Sequence, residues 1–134
     1  MNKGMLVDSD VLIDFLRGEE KAVSLFRRMQ DSIVFSAISV AEIYAGTRGE
    51  NEETEVNRLF STFTVFPVTG EVARKAGEWI RKYRASHSME IPDALIGATC
   101  LVNKLELVTL NTKHYPMFPG LKPPYTKLGM KHGS

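Results

Sequence analysis

Cysteine is nearly absent from the chain. Cys100 stands alone inside an apolar stretch, so no internal disulfide can form, and its position reads as packing. That usage fits a reducing, cytoplasmic setting. No apolar run approaches the ~20 residues needed to span a bilayer. The opening MNKGMLVDSD has no apolar core of signal-peptide length, so no membrane contact is expected. Charge of one sign is missing too: 17 Lys and Arg against 16 Asp and Glu leave a formal net charge of +1. No bulk field advertises a polyanionic partner, and any nucleic-acid surface must come from local clustering. There is no internal repeat, low-complexity segment or linker. This predicts one domain over residues 1–134, with a frayed tail from about 126 to 134.

What is present is 43% hydrophobic residues, enough for a substantial core. Met5-Leu6-Val7 reads as a buried strand running into Asp8-Ser9-Asp10 and a helix over 11–16 that Arg17-Gly18 ends. A second helix is predicted over 19–30 and a second strand at Ile33-Val34-Phe35. Ser39 is expected to open a helix reaching Gly46, followed by a helical stretch over 51–63 and a short strand over 65–68. Residues 71–86 form the clearest amphipathic helix. Val72, Ala76, Trp79, Ile80 and Tyr83 make one stripe, and Arg74, Lys75, Arg81, Lys82 and Arg84 cover the other side. Residues 91–102, IPDALIGATCLV, read as a core helix with Pro92 in its first position and a single charge, Asp93. A fourth strand is expected over 107–110, and the stretch KPPY at 122–125 is read as extended, a candidate edge strand. Short apolar strands alternating with helices predict α/β architecture around a mainly parallel sheet.

In such sheets, ligands bind outside the carboxyl ends of the strands. Asp8, Glu42, Asp93 and Asn111 are all predicted to fall there. Each has a bland explanation. Asp8 or Asp10 can cap the first helix. Ser39 and Glu42 match a capping box. Asp93 complements a helix dipole, and Asn111 forms a turn. Taken together, three carboxylates in one cleft would repel and take up protons unless a cation joined them. Oxygen donors with no His/Cys set nearby suit Mg²⁺ or Mn²⁺ better than Zn²⁺. Such ions polarise phosphodiesters and supply hydroxide, which is nuclease or phosphatase chemistry. The basic face of the 71–86 helix is either solvated or a phosphate contact.

The segments LVDSDVLIDFL, SVAEIYAG, IPDALIGAT and LVTLNTKHYPMF together resemble the PIN-domain ribonucleases, specifically the VapC-type toxins of toxin–antitoxin pairs. The likeness runs from Leu6 to about Pro119. It implies a PIN-like three-layer α/β/α sandwich, metal-dependent cleavage of RNA, a homodimer, and neutralisation by a small antitoxin protein. By the same resemblance, Asp8, Glu42 and Asp93 match the acids that hold Mg²⁺ or Mn²⁺ and activate water. Ser9 supports the first acid, and Asn111 stands where the family often carries a fourth. Arg74, Lys75, Arg81 or Lys82 is expected to contact RNA phosphates.

Other readings compete. Asp8-Ser9-Asp10 after a strand also resembles the first motif of haloacid-dehalogenase-like phosphatases, but NTKHY after the last strand lacks that family's later pair of acids. A receiver-like domain would need an Asp after the third strand, where the chain has FPVTG. A non-catalytic RNA-binding or partner-binding PIN-like module is suggested by Asn111 and opposed by the three acids. His114 could touch phosphate but reads as incidental in a polar loop, His87 and His132 give no signal, and Asp14 is expected to make a surface or supporting contact.

Overall fold

Four short apolar runs supply the strands: β1 (Met5–Val7), β2 (Ile33–Ser36), β3 (Thr64–Phe66) and β4 (Glu106–Val108). The computed structural model, which describes residues 4–127, pairs them in the order β3-β2-β1-β4, every pair parallel. Met5 lies opposite Ile33 and Glu106, and Val7 lies opposite Val108. Burial on both faces explains why the strands read as continuous hydrophobic runs.

Alternation along the strands divides the core. Val7, Ile33, Phe35 and Val108 face one way, onto α1 (Ser9–Leu16), α2 (Glu20–Met29), α3 (Ala37–Gly46) and α4 (Gly49–Thr62). Leu6, Val34 and Leu107 face the other way, onto Ile96 and Cys100 of α6 (Ile91–Asn103). Outside α6 lies α5 (Gly70–Tyr83), whose Val72, Ala76 and Trp79 form the buried stripe expected from the periodicity. The result is the α/β/α sandwich that the alternation of strands and helices predicts. Gly97 lets the layers approach: a Cβ there would meet Met117 Cε at 2.8 Å and the Trp79 ring at 3.3 Å. The Trp79 ring in turn stands edge-on to Phe118, centroids 5.8 Å apart.

Several boundaries differ from expectation. Helix α3 begins at Ala37, because Ser36 ends β2 in an extended conformation (ψ 148°) and its hydroxyl accepts the Ile38 N–H at 3.0 Å. Ser39 is therefore inside the helix, and the expected Ser39–Glu42 capping box does not form. A capping box does form on α6: Glu90 is the cap, the Asp93 carboxylate accepts the Glu90 N–H at 3.3 Å, and Pro92 takes the second helical position, not the first. Residues 122–125 join no strand; the chain there is irregular.

Asp14, expected to make a surface or supporting contact, is buried. It accepts the Tyr125 hydroxyl at 2.8 Å and pairs with Lys127 Nζ at 3.0 Å. The Thr126 carbonyl accepts a hydrogen bond from Lys21, so Tyr125, Thr126 and Lys127 are fastened across α1 and α2. The rest of the expected tail, with His132, lies outside the described residues. Among the described residues, no helix is long and apolar enough to cross a membrane.

Candidate active site

Parallel pairing brings the carboxyl ends of β1, β2 and β4 to one edge, and the start of α6 joins them. Asp8 leaves β1 there as the N-cap of α1. It is buried, and both of its oxygens are engaged. Oδ2 accepts the Thr109 hydroxyl at 2.8 Å and the Tyr115 hydroxyl at 2.9 Å, while Oδ1 accepts the Ser9 N–H at 2.7 Å. Two donors fill the capacity of Oδ2; one donor leaves Oδ1 able to accept again.

Asp10 performs a task the sequence reading did not assign to it. Its Oδ2 accepts the N–H groups of Leu110 and Asn111 at 3.0 and 3.1 Å. Its Oδ1 takes the Val11 N–H at 2.7 Å. It thereby ties the start of α1 to the turn that follows β4. Burial, followed by the neighbouring Asp8 charge, pushes the Asp10 carboxyl up to about 6, against the lowering effect of the three N–H donors.

Glu42 extends from the second turn of α3 and accepts the Ser9 hydroxyl, which also lies 3.1 Å from the Ser39 hydroxyl. Ser9 thus links the first acid's own segment to the second acid. Asp93 lies 3.3 Å from His114 Nδ1, on the short 3₁₀ turn Thr112–His114. Burial raises the Asp93 carboxyl above its ordinary range; the Glu90 N–H and His114 oppose this, and the Asp8 charge adds to it. Burial first, then Asp8, also raises the Tyr115 phenol, with Asp93 and Asp10 contributing. Asp8, Asp10 and Asp93 therefore share one electrostatic environment around Tyr115.

Asn111 stands exposed at the mouth. Its backbone N–H reaches Asp10 and Thr109, and its side-chain amide has no hydrogen bond among the described residues.

A model of the PIN domain family matches residues 5–117. The chain belongs to the PIN-domain family. It is 44% identical over 128 residues to Ribonuclease VapC10 of Mycobacterium tuberculosis, covering 93% of this chain and 96% of that protein. Identity to Ribonuclease VapC19 of the same organism is 38% over 124 residues, covering 90% and 98%. Among solved structures, a toxin-antitoxin complex from Klebsiella pneumoniae superposes with a TM-score of 0.79 at 28% identity, covering 91% of this chain and 98% of that one.

Metal binding is usual in PIN domains, and the donor chemistry here suits a hard cation. The Asp8 charge helps raise the Asp93 carboxyl, after burial, and every candidate ligand offers oxygen. The arrangement is not a finished cage. Among the described residues, no group of three or more His, Cys, Asp or Glu side chains is placed to hold a metal. Glu42 is engaged by Ser9, and Asp93 by His114.

The basic face of α5 is split. Arg74 and Lys75 both meet Glu78, at 2.9 and 3.5 Å, and Lys75 also covers the Trp79 ring. Arg81 and Lys82 lie about two turns further on, in the last turn before the segment that leads to Asp93. Thr109, Tyr115, His114 and Asp10 are the site residues the sequence reading missed or set aside. The only signal for them was their position in or just beyond the motif that carries Asn111, or, for Asp10, two residues from Asp8.

Proposed function

We propose that this PIN-domain protein is an endoribonuclease, the toxin of a toxin–antitoxin pair, and that its cleavage of RNA depends on Mg²⁺ or Mn²⁺. The observation that carries the reading is 44% identity to a ribonuclease over 93% of the chain, in a fold that gathers Asp8 and Asp93 at one sheet edge. Asp8, Glu42 and Asp93 would hold the ion, with the uncharged Asn111 at the rim. Bound there, a hard divalent ion polarises the phosphodiester and activates water for attack.

The chain's own groups do the rest. Thr109 and Tyr115 fix the orientation of Asp8 through Oδ2 and leave acceptor capacity on Oδ1. Ser9 carries Glu42 toward the Asp8 segment. His114 gives Asp93 a partner of opposite tendency while the acids stand alone. Arg81 and Lys82, less encumbered than Arg74 and Lys75, contact RNA phosphates.

The antitoxin is the expected partner, alongside a second copy of the chain in a homodimer. A groove of about 440 Å³ between α1, α3 and α4 has Ile13 and Val56 on its walls and Glu42 on its lip. An antitoxin segment with an apolar side chain and an arginine would fill it, the guanidinium pairing with Glu42.

One observation favours a second reading, a non-catalytic PIN-like module that binds RNA or a partner. It is the unassembled carboxylate set, with an amide at the fourth position. Labelled RNA incubated with the purified protein separates the two. The nuclease reading expects cleavage with Mg²⁺ or Mn²⁺, arrest by chelator, and loss by orders of magnitude in a folded Asp93→Asn variant. Cleavage that persists in excess chelator overturns the metal mechanism, and no cleavage with either ion favours the binding module.

A further inference from the structure

Beside the acids lies a second feature that the proposed chemistry does not use. A cavity of about 590 Å³ opens between residues 86–88 and the chain from 112 to 121. We propose that it seats one nucleotide of the RNA strand, the one adjoining the scissile phosphate. The inference rests on the ribonuclease reading and adds the place where the substrate is gripped.

Continuity with the acids is the first support. His114 and Tyr115 both line the cavity. From its wall, Tyr115 reaches Asp8 at 2.9 Å, and His114 reaches Asp93 at 3.3 Å. A strand with its phosphodiester at the acids would bring a neighbouring residue within reach of this space.

Charge is the second. No residue lining the cavity is acidic, although it borders an acidic cluster. Its cation is Lys113, and the His87 imidazole adds a polar ring. Lys113 makes no ion pair among the described residues, unlike Arg74 and Lys75. His87 is fixed by Ser86 at its Nδ1 (2.8 Å) and by the Tyr83 ring standing edge-on, which leaves Nε2 to meet a ligand.

Shape is the third. Phe118, half-buried, contributes its ring to the lining beside Lys113, while Tyr115 is buried and serves as the link to Asp8. Aromatic surface beside cations is how single-stranded nucleic acid is held, the base or ribose on the ring and the phosphate on the cation. The volume falls within the roughly 300–1,000 Å³ of small-molecule sites.

The test uses the whole protein and three probes: uridine 5′-monophosphate, uridine, and inorganic phosphate, each titrated while backbone amide NMR signals are followed. The monophosphate is expected to shift the amides of residues 86–88 and 112–121 saturably, and more tightly than either fragment. His87→Ala combined with Lys113→Ala, both exposed positions, should weaken it by roughly tenfold or more. In RNA cleavage the same double variant should raise KM by a similar factor and leave kcat within a few-fold.

Shifts confined to other surfaces would overturn the proposal, as would phosphate binding as well as the monophosphate or a double variant with unchanged KM. If RNA is not cleaved at all, the ribonuclease reading fails by itself, and the NMR titration still decides whether the cavity takes a nucleotide.

Discussion

Helix α1 carries two buried carboxylates, Asp8 as its N-cap and Asp14 within it, that share burial and a tyrosine partner but differ in countercharge. Asp8 is 7% exposed and Asp14 is 5% exposed. Each accepts a tyrosine hydroxyl from far along the chain, Tyr115 at 2.9 Å and Tyr125 at 2.8 Å. Asp14 also has Lys127 Nζ at 3.0 Å. Among the described residues, Asp8 has no ion-pair partner. A buried carboxylate with its own ammonium is complete and fastens one segment to another. A buried carboxylate held only by neutral donors has no fixed countercharge beside it, and at the sheet edge shared with Asp93 this is where the proposed cation would sit.

The widest gap between the two should appear in stability. Asp14→Asn removes one member of an ion pair and strands Lys127. The loss expected for breaking a buried pair is roughly 3–5 kcal/mol, and about 3 kcal/mol here because Lys127 is partly solvated. Asp8→Asn in chelator gives up one hydrogen bond and also discharges an uncompensated site, so its change should stay under about 1 kcal/mol. Denaturant titrations of both variants check this, and equal losses would erase the distinction.

Asp10 allows a pH test of the same crowding. Its folded-state carboxyl is raised, from 3.8 to about 6. The protonated form is therefore favoured by the fold. Its contribution is fully present below about pH 3.8 and is lost as pH rises through about 6. In metal-free protein this should appear as a decline of about 2 kcal/mol, partial solvation being discounted. Asp10→Asn should flatten the decline between pH 4 and 6; an unchanged slope would assign it to other groups.

The smallest effects come from the two phenols. Tyr115→Phe and Tyr125→Phe each delete one hydroxyl, at about 1 kcal/mol of stability apiece. Only Tyr115→Phe should also weaken Mn²⁺ binding measured by calorimetry, since only Tyr115 orients a candidate ligand. If both variants bind the ion equally well, Tyr115 is no more than a structural twin of Tyr125.

The legible parts of the molecule were those written locally. Leu6-Val7 and Ile33–Phe35 announced buried strands by their apolar runs, and the α5 stripe announced itself by its period. The acids were visible because β1, α3 and α6 each present one within a short motif. The side-chain and backbone donors that give Asp8, Asp10 and Asp14 different environments come from about a hundred residues away or more, apart from a few adjacent N–H groups. Thr109, Leu110, Tyr115, Tyr125 and Lys127 carry no local sign of those partners. For that reason the burial of Asp14 has no local sign in the sequence. The capping of α3 was misread for a different one: Ser36 and Ser39 are both competent caps, and only the end of β2 chooses between them.

The α5–α6 seam also makes the protein its own reporter. Trp79 is the only tryptophan in the chain, buried to 8% exposure between Gly97 and Phe118. Its emission should be blue-shifted in the native state and move to the red on unfolding, so melts need no added dye. Phe118 touches the indole on one side and lines the 590 Å³ cavity on the other. Ligand entering that space should therefore perturb the same fluorescence, giving an optical readout of occupancy without labelling either the protein or the RNA.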